Sequence, residues 1–244
     1  MGLLRGHLNV VLHQVRLPEN LGAVARLMAN FGLDRLYLSD PHLWSLEEED
    51  HAERVAVRAA GVLQSVQRVP TLEEALSESV FVVGTTGRSQ IRNRRVLTPE
   101  QAARRLADES ARGRVTLLFG GEQRGLSDTE LERCDEIAFI PTSPVQPSMN
   151  LAQSAAVFLY LCAREDEGRP EELPEVGPGA NLKLLYALEE RMKEVLLRAQ
   201  FLNPEAPEHI LRELGRTLVR AHLTQREAEL WMNAFTHLDR KVGR

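Results

Sequence analysis

Two segments, near residues 120 and 147, constrain the fold of this chain most strongly, because each reads as an apolar strand, a loop and a helix. The first, 117–127, is an apolar run that stops at two adjacent glycines. The second, 137–156, is an apolar run that stops at Pro141 and continues through a Pro/Ser/Gln loop into a helical pattern. α/β proteins bind ligands where parallel strands end, at the carboxyl edge of the sheet. The two segments therefore predict one ligand pocket built by two loops.

The alternation of short apolar runs with amphipathic stretches extends over residues 1–164 and predicts an α/β fold. The predicted strands are 8–15, 35–39, 65–69, 80–84, 115–119 and 136–140. The predicted helices lie near 20–31, 50–62, 71–78, 98–110, 127–133 and 149–164. Several of these helices begin with a capping pair such as Thr98 with Gln101. Strand–helix alternation of this kind predicts a mostly parallel sheet covered on both faces.

The composition of the chain changes after residue 164. Residues 165–179 are acidic and rich in proline and glycine, so they cannot bury enough apolar surface to fold alone. Three helical patterns follow, near 180–201, 207–221 and 224–240. We therefore expect a first domain over 1–164, a linker over 165–179, and a small α-helical appendage over 180–244.

Composition and charge exclude several classes of protein. A net charge of −5 argues against a uniformly basic nucleic-acid binder, although the distribution of charge matters more than its sum. No apolar run approaches the ~20 residues that span a bilayer, and the first fifteen residues lack the features of a secretory signal. Cys134 and Cys162 form no metal or redox spacing, and the histidines show no ligand spacing. We expect a cytoplasmic protein with reduced cysteines and no bound metal.

Three motifs together resemble the SpoU branch of the SPOUT RNA methyltransferases. The first is LPENLGAVAR at 17–26, where Asn-x-Gly is followed four residues later by Arg. The second and third are FGGEQRGLS at 119–127 and IPTSPVQPSMNLAQSAA at 140–156. GGEQRG matches neither a dinucleotide fingerprint nor a phosphate loop. The helical patterns at 182–202 and 211–230, with His209 between them, are similar to the C-terminal helices of the TrmJ-type tRNA ribose methyltransferases.

The resemblance implies a SPOUT domain, an α/β trefoil-knot fold in which segment 136–164 is threaded through a loop. It implies a homodimer, and we expect the helices near 20–31 and 149–164 at the interface because they are apolar on more than one face. It also implies that S-adenosylmethionine is the cofactor and is held mainly through backbone groups. By resemblance, the cofactor contacts fall on Thr85, Thr86, Gly87, Gly120, Ile140, Pro147, Ser148 and Met149.

The resemblance further assigns catalytic roles to Asn20, Arg26, Glu122, Ser148 and Asn150. Taken alone, Asn20 could be only a helix cap and Arg26 only a solvated helix residue, and Ser148 and Asn150 are natural caps too. Because arginine stays protonated in proteins, we interpret Arg26 as a group that grips a phosphate rather than as a general base. Glu122 either caps the following turn or, as in the family, fixes the neighbouring catalytic arginine.

Arginines in two stretches, one beside the expected pocket and one on a C-terminal helix, are candidates for contact with RNA. Gly121 departs from the family, because TrmJ-type sequences commonly carry Arg there, and Arg124 is the candidate to replace it. The alternative for each stretch is a solvated face with no ligand. The candidate RNA-binding residues are Arg88, Arg92, Arg94, Arg95, Arg124, Arg212, Arg216 and Arg220.

The resemblance therefore implies an S-adenosylmethionine-dependent RNA 2′-O-methyltransferase acting on a pyrimidine ribose in the tRNA anticodon loop. The assignment of tRNA depends on the C-terminal helices. Two alternatives remain open: another SpoU-type enzyme, for example one that modifies ribosomal RNA, and an RNA-binding module without catalysis. The presence of all five expected catalytic residue types argues against a loss of catalysis.

Overall fold

A computed structural model describes residues 2–91, 94–165 and 177–242 of the chain. The chain divides into two compact units, Met1–Leu173 and Pro174–Arg244. Most of the expected linker, namely 166–176, lies outside the described residues, so the linker stays a prediction.

The first unit contains one sheet, which is seven-stranded within the described residues and has the order β3-β2-β1-β6-β4-β7-β5. The strands are β1 (Leu8–His13), β2 (Leu36–Ser39), β3 (Gln67–Val69), β4 (Ser79–Thr86), β5 (Val96–Leu97), β6 (Arg114–Gly120) and β7 (Glu136–Phe139). Every pairing between these strands is parallel, which confirms the predicted α/β class. The short β5 was not among the predicted strands, since two residues carry no periodic pattern.

Helices connect the strands, as the alternation predicts. They are α1 (Pro18–Asn30), α2 (Leu46–Ala56), α3 (Ala60–Gln64), α4 (Leu72–Leu76), α5 (Pro99–Ser110), α6 (Asp128–Leu131) and α7 (Leu151–Glu165), after an initial 3-10 turn Arg5–His7. Thr71, Thr98 and Ser127 each accept a hydrogen bond from the backbone three residues on, as their sequence patterns predict.

The prediction of one helix over 50–62 is wrong. Helix α2 begins earlier, at Leu46, because Ser45 and Glu48 form a capping box. It ends at Ala56, because Val57 has φ 57° and ψ −103°, a conformation that β-branched residues avoid. Hydrophobic periodicity cannot reveal a backbone reversal inside an apolar run, so the break was invisible in the sequence.

Burial of both faces of the central strands explains their continuous apolar runs. All six residues of β1 are buried although alternate side chains point to opposite faces. The ring of Phe119 in β6 meets Phe158 of α7 edge-on, with 5.9 Å between centroids, and this contact packs α7 against the sheet.

Cys134 and Cys162 are free and buried, in agreement with the prediction of reduced core residues. Among the described residues, no helix has both the length and the apolarity to cross a membrane.

Helices α1 and α2 pack with backbone against backbone at Gly22. A Cβ atom on this glycine would lie 2.2 Å from the carbonyl oxygen of Ala52 and 2.9 Å from Cβ of Val55. Glycine is therefore required there so that α2 can approach α1.

The second unit consists of three helices in its described part, as the sequence predicts. They are α8 (Leu182–Arg198), α9 (Glu208–Arg220) and α10 (Gln225–Val242). Five apolar residues at helical spacing form a buried stripe on α8, namely Leu182, Leu185, Leu188, Met192 and Val195. Asp239 of α10 accepts a hydrogen bond from Arg198 at 2.6 Å and lies 3.6 Å from Arg191, which joins α10 to α8 by charge.

Gly22→Ala is expected to lower the free energy of unfolding by ~1–3 kcal/mol, since the added methyl group overlaps backbone that cannot move independently. The matched control is Gly61→Ala in α3, where an added Cβ meets nothing within 4 Å. That control should leave stability unchanged or raise it by up to ~1 kcal/mol. Urea unfolding followed by circular dichroism measures both, and equal stability of the two variants would contradict the packing described for α1 and α2.

Candidate active site

A cleft of about 390 Å³ lies at the carboxyl ends of three neighbouring strands, β6, β4 and β7. Its walls are the loop after β6, the loop between β7 and α7, and the end of β4. The first two are the loops that the sequence pattern placed around one pocket. We call this cleft the strand-end pocket.

All eight residues predicted to contact the cofactor line the strand-end pocket. They are Thr85, Thr86, Gly87, Gly120, Ile140, Pro147, Ser148 and Met149. Lining residues outside the predicted set include Phe119, Gln123, Gly125, Thr142, Leu151, Ser154 and Phe158. Three of these share one face of α7 at spacings of three and four residues, so the helical period after the third motif could have indicated them.

The loop after β6 brings backbone unusually close to backbone. A Cβ atom on Gly120 would lie 2.2 Å from the carbonyl carbon of Gly125, and Gly125 itself has φ 64°. The Gly125 N–H donates to the carbonyl oxygen of Gly121 at 2.9 Å, which closes a tight turn. A Cβ atom on Gly121 would lie 2.2 Å from the carbonyl oxygen of Gln14. In this conformation the loop has no room for the arginine that the resemblance implies at position 121.

The loop between β7 and α7 is held by its own polar groups. The Thr142 hydroxyl donates to the carbonyl of Pro147 at 2.8 Å, and the Gln146 N–H donates to the carbonyl of Ser143 at 3.0 Å. These two bonds fold the segment back on itself, so that Pro147 and the residues after it face the pocket.

A chain of hydrogen bonds links the three motifs beside the pocket. Glu122 accepts from the buried Asn20 amide at 2.7 Å, and the Asn150 amide donates to the oxygen of Asn20 at 3.0 Å. Glu122 also accepts from the backbone N–H groups of Arg16 and Leu17 at 3.1 and 3.3 Å. One carboxylate therefore holds the first motif's loop against the second motif, and one amide holds the first motif against the third.

These contacts decide between alternatives that the sequence left open. Asn20 is not a helix cap, since Leu17 occupies the cap position of α1 and the Asn20 side chain bonds other loops. Asn150 does cap, because its side-chain oxygen accepts from the N–H of Ala152 at 2.8 Å. It also contacts Asn20, so it has both roles. Ser148 is exposed and lines the pocket.

Arg26 lies apart from these residues in the same chain. Its side chain is exposed on α1 and lines a second cleft, of about 540 Å³, together with Arg58. No residue lines both this cleft and the strand-end pocket. The structure thus brings Asn20, Glu122 and Asn150 together but leaves Arg26 in a separate cavity.

Arg124 lines the strand-end pocket, but its guanidinium is engaged inside the protein. It donates to both carboxylate oxygens of Glu130, at 2.6 and 3.1 Å, and to the side-chain oxygen of Gln14 at 2.6 Å. Glu130 also meets the buried ring of His13 at 3.1 Å. Burial alone would raise the pKa of Glu130, but hydrogen bonds from Arg124 and from the backbone of Ser127 outweigh it and lower the pKa to about 2. Arg124 therefore braces the loop after β6.

The other predicted RNA-binding arginines of the first unit differ in their surroundings. Arg88 pairs with Asp128 at 2.7 Å, and Arg95 is exposed. Arg94 donates to the backbone carbonyls of Cys134 and Asp135 at 2.8 and 2.9 Å, so it anchors its loop to the segment before β7. Arg92, also predicted, lies outside the described residues.

The three predicted arginines of the second unit lie on α9. Arg212 and Arg220 are exposed, whereas Arg216 is only partly so. Arg212 and Arg216 also interact within the protein. The three arginines therefore do not form one uniformly solvent-exposed face of α9.

Comparison with known proteins agrees with the motifs. The model of the SpoU rRNA Methylase family matches residues 7–160. The tRNA (cytidine/uridine/adenosine-2′-O-)-methyltransferase TrmJ of Pseudomonas aeruginosa strain UCBPP-PA14 is 33% identical, over 97% of this chain and 95% of that protein. The tRNA (cytidine/uridine-2′-O-)-methyltransferase TrmJ of Yersinia pestis strain Pestoides F is 28% identical, over 96% of this chain and 92% of that protein.

Solved structures give the same result. The crystal structure of TrmJ from Z. mobilis ZM4 superposes with a TM-score of 0.80 and 30% identity, over 95% of this chain and 98% of that one. A structure that concerns 2-OH methylation of C/U34 on tRNA superposes with a TM-score of 0.54 and 27% identity, over 66% of this chain and 97% of that one. A match over most of the first unit, together with relatives that span nearly the whole chain, shows that the chain belongs to the SpoU methylase family.

Proposed function

We propose that this protein is an S-adenosylmethionine-dependent methyltransferase that modifies the ribose 2′-oxygen of a pyrimidine in the tRNA anticodon loop. The observation that carries the proposal is the hydrogen-bonded chain Glu122–Asn20–Asn150 at the edge of the strand-end pocket. It joins the three family motifs at one place. The P. aeruginosa and Y. pestis relatives act on tRNA riboses, and the relatives' similarity extends into the C-terminal helices.

The strand-end pocket suits S-adenosylmethionine. Its volume falls within the usual range for small-molecule sites, and three strand ends present backbone N–H and C=O groups to it. Gly120 has no room for a side chain because the backbone of Gly125 and Leu126 lies against it, so this turn forms a close-packed wall of the pocket. When bound, this cofactor supplies a methyl group that its sulfonium already activates.

The protein's own residues then position the ribose. Glu122 is held by two backbone N–H groups and a side-chain amide, so it can orient Asn20 without moving. Asn20 in turn orients Asn150 at the start of α7. Such fixed polar groups contribute by placing the hydroxyl along the line of attack. Arg26 contributes its permanent positive charge, which binds the adjacent phosphate and favours the developing alkoxide.

We further propose that the enzyme is a homodimer, because Arg26 and the strand-end pocket occupy separate cavities of one chain. A second copy could bring its Arg26 to the pocket of the first. The interface would comprise α1 and α7, and segment 136–164 would form the trefoil knot of the family. We place the enzyme in the cytoplasm, where tRNA is found.

Two other functions compete with this proposal. A SpoU enzyme that acts on ribosomal RNA would use the same pocket and the same three motifs. A non-catalytic RNA-binding module would need neither the pocket nor the fixed polar chain, so the complete Glu122–Asn20–Asn150 contacts weigh against it.

Incubation with labelled S-adenosylmethionine and unmodified tRNA transcripts should transfer methyl groups to the ribose of a nucleotide in the anticodon loop. Mapping of alkali-resistant linkages then identifies the nucleotide, because 2′-O-methylation blocks cleavage at that position. Ribosomal RNA transcripts serve as the control substrate. Methylation of ribosomal RNA alone would favour the competing SpoU function, and methylation of neither would favour the binding module.

Arg26→Ala is expected to lower methyl transfer by ~10²–10³-fold with little change in cofactor affinity, since it removes one charge-stabilising group. Gly120→Val should instead lose cofactor binding, because its side chain would overlap the backbone of Gly125 and Leu126.

If Arg26 serves the partner's pocket, co-expression of the two variants should restore activity, since the mixed dimer has one complete site. Calorimetry measures cofactor affinity, and an inactive mixture would place Arg26 with its own chain's pocket.

The second unit is proposed to bind tRNA through Arg212, Arg216 and Arg220. Affinity falls as salt rises, so the slope of log affinity against log salt is negative. Arg220→Ala should reduce the magnitude of this slope by ~0.7–0.9, the effect of losing one phosphate contact. The triple alanine variant should lower it further. Thermal unfolding of the triple variant is the control, since Arg212 and Arg216 also interact within the protein. Equal slopes for wild type and both variants would identify a solvated face instead.

A further inference from the structure

The second cleft, which contains Arg26, is built by two elements of the first unit. Arg26, Ala29 and Asn30 come from the last turns of α1, and residues 56–59 come from the reversal between α2 and α3. Among its lining residues the only charged groups are the guanidiniums of Arg26 and Arg58, and the rest are alanines, Val57 and an amide. The cleft is therefore a basic cavity with no acidic wall.

Both guanidiniums in this cleft are available to a ligand. Arg26 and Arg58 are exposed, and neither forms an ion pair with any carboxylate in the described part of the chain. Other arginines of the same unit do pair: Arg68 lies 2.8 Å from Glu49, and Arg114 lies 2.9 Å from Glu78. Two like charges that share one cavity repel each other, so an anion between them would be favoured.

The backbone reversal at Val57 directs Arg58 to this cleft. Val57 adopts φ 57° although it is a β-branched residue, and it is 57% exposed, so packing of its own side chain does not explain the conformation. If α2 continued, Arg58 would lie one turn beyond Arg54 on the same helix face. Instead the chain reverses direction after Ala56, and Ala59 is buried, which anchors the reversal to the core. Arg58 therefore lines the cleft beside Arg26. Strained backbone of this kind concentrates at functional sites.

The close contact between α1 and α2 gives the cleft its width. Gly22 meets the carbonyl of Ala52, and one turn later in each helix come Arg26 and Ala56, which line the cleft. The same glycine of the first motif that permits this approach therefore also fixes the distance between the two arginine-bearing elements.

We propose that Arg58 is a further substrate-binding residue that, together with Arg26, binds a phosphodiester group of the RNA. The inference rests on the proposed function for the identity of the RNA. A guanidinium presents a planar fork of N–H donors that matches the oxygens of a phosphate, and two forks can hold one diester from two sides. Arg58 positions the strand, and it is not assigned to the reacting atoms.

Arg58→Ala is expected to weaken tRNA binding by about 10-fold, the usual effect of losing a hydrogen bond to a charged group. The slope of log affinity against log salt should fall by ~0.7–0.9 for the one lost phosphate contact. The matched control is Arg54→Ala. Arg54 is exposed in the last turn of α2, forms no ion pair with the described residues, and does not line the cleft. This control loses the same charge and should keep the wild-type slope.

Steady-state methyl transfer separates binding from chemistry. Arg58→Ala should raise KM for tRNA about 10-fold and leave kcat and the cofactor Kd near wild type, since uniform substrate binding is lost. Arg58→Lys should retain the salt slope but recover only part of the affinity, because an ammonium group cannot form the bidentate contact. Thermal unfolding checks that each variant is folded.

Several outcomes would overturn the inference. Equal affinity and slope for wild type and Arg58→Ala, with tRNA methylation intact, would reject Arg58 while the proposed function stands. If Arg54→Ala changed the salt slope by the same amount, the effect would come from the general positive charge of this surface and not from a phosphate site in the cleft. A shift to monomer in sedimentation by Arg58→Ala would identify the cleft as a contact between copies. If wild type binds and methylates no tRNA, the proposed function itself fails.

Discussion

The carboxylate of Glu122 is the group on which the rest of this site depends. It accepts hydrogen bonds from the backbone of Arg16 and Leu17 and from the Asn20 amide, and Asn20 continues the chain to Asn150. Asn20 is 102 positions from Glu122 and 130 positions from Asn150 in sequence, so these contacts join distant parts of the chain. A carboxylate with several N–H donors is stable in a partly buried place. Loss of the carboxylate would leave the buried Asn20 amide without this partner and would release the backbone of Arg16 and Leu17 from the second motif.

Close backbone contacts give the same region its shape. Gly120 and Gly121 leave no space for a Cβ atom, because one faces the turn at Gly125 and the other faces the carbonyl of Gln14. The salt bridge from Arg124 to Glu130 then holds the outer side of that turn. Arg124 stays a candidate for RNA contact, and its three hydrogen bonds to Glu130 and Gln14 also support the pocket wall.

The separation of Arg26 from the strand-end pocket gives the molecule two functional surfaces. One surface consists of strand ends and glycines, which suits a small cofactor. The other is a basic cleft at the junction of α1 with the reversal at Val57, which suits a phosphate. A methyl transfer to RNA needs both, since the donor and the nucleic-acid backbone are different ligands. The homodimer that we propose would satisfy this need, because each copy would supply the cleft for the other's pocket.

The sequence by itself determined the class of fold, the family and eight of the residues that line the pocket. Apolar runs such as β1 must be strands buried on both faces, and the glycines at 120 and 121 must end a strand, because the physics behind both patterns is local. Capping pairs such as Thr98 with Gln101 could be predicted from the sequence for the same reason. Tertiary structure alone decided that Asn20 bonds Glu122, that Val57 breaks a helix, and that Arg58 shares a cleft with Arg26. Those outcomes depend on which distant groups meet when elements pack, and no period or spacing along one chain encodes that.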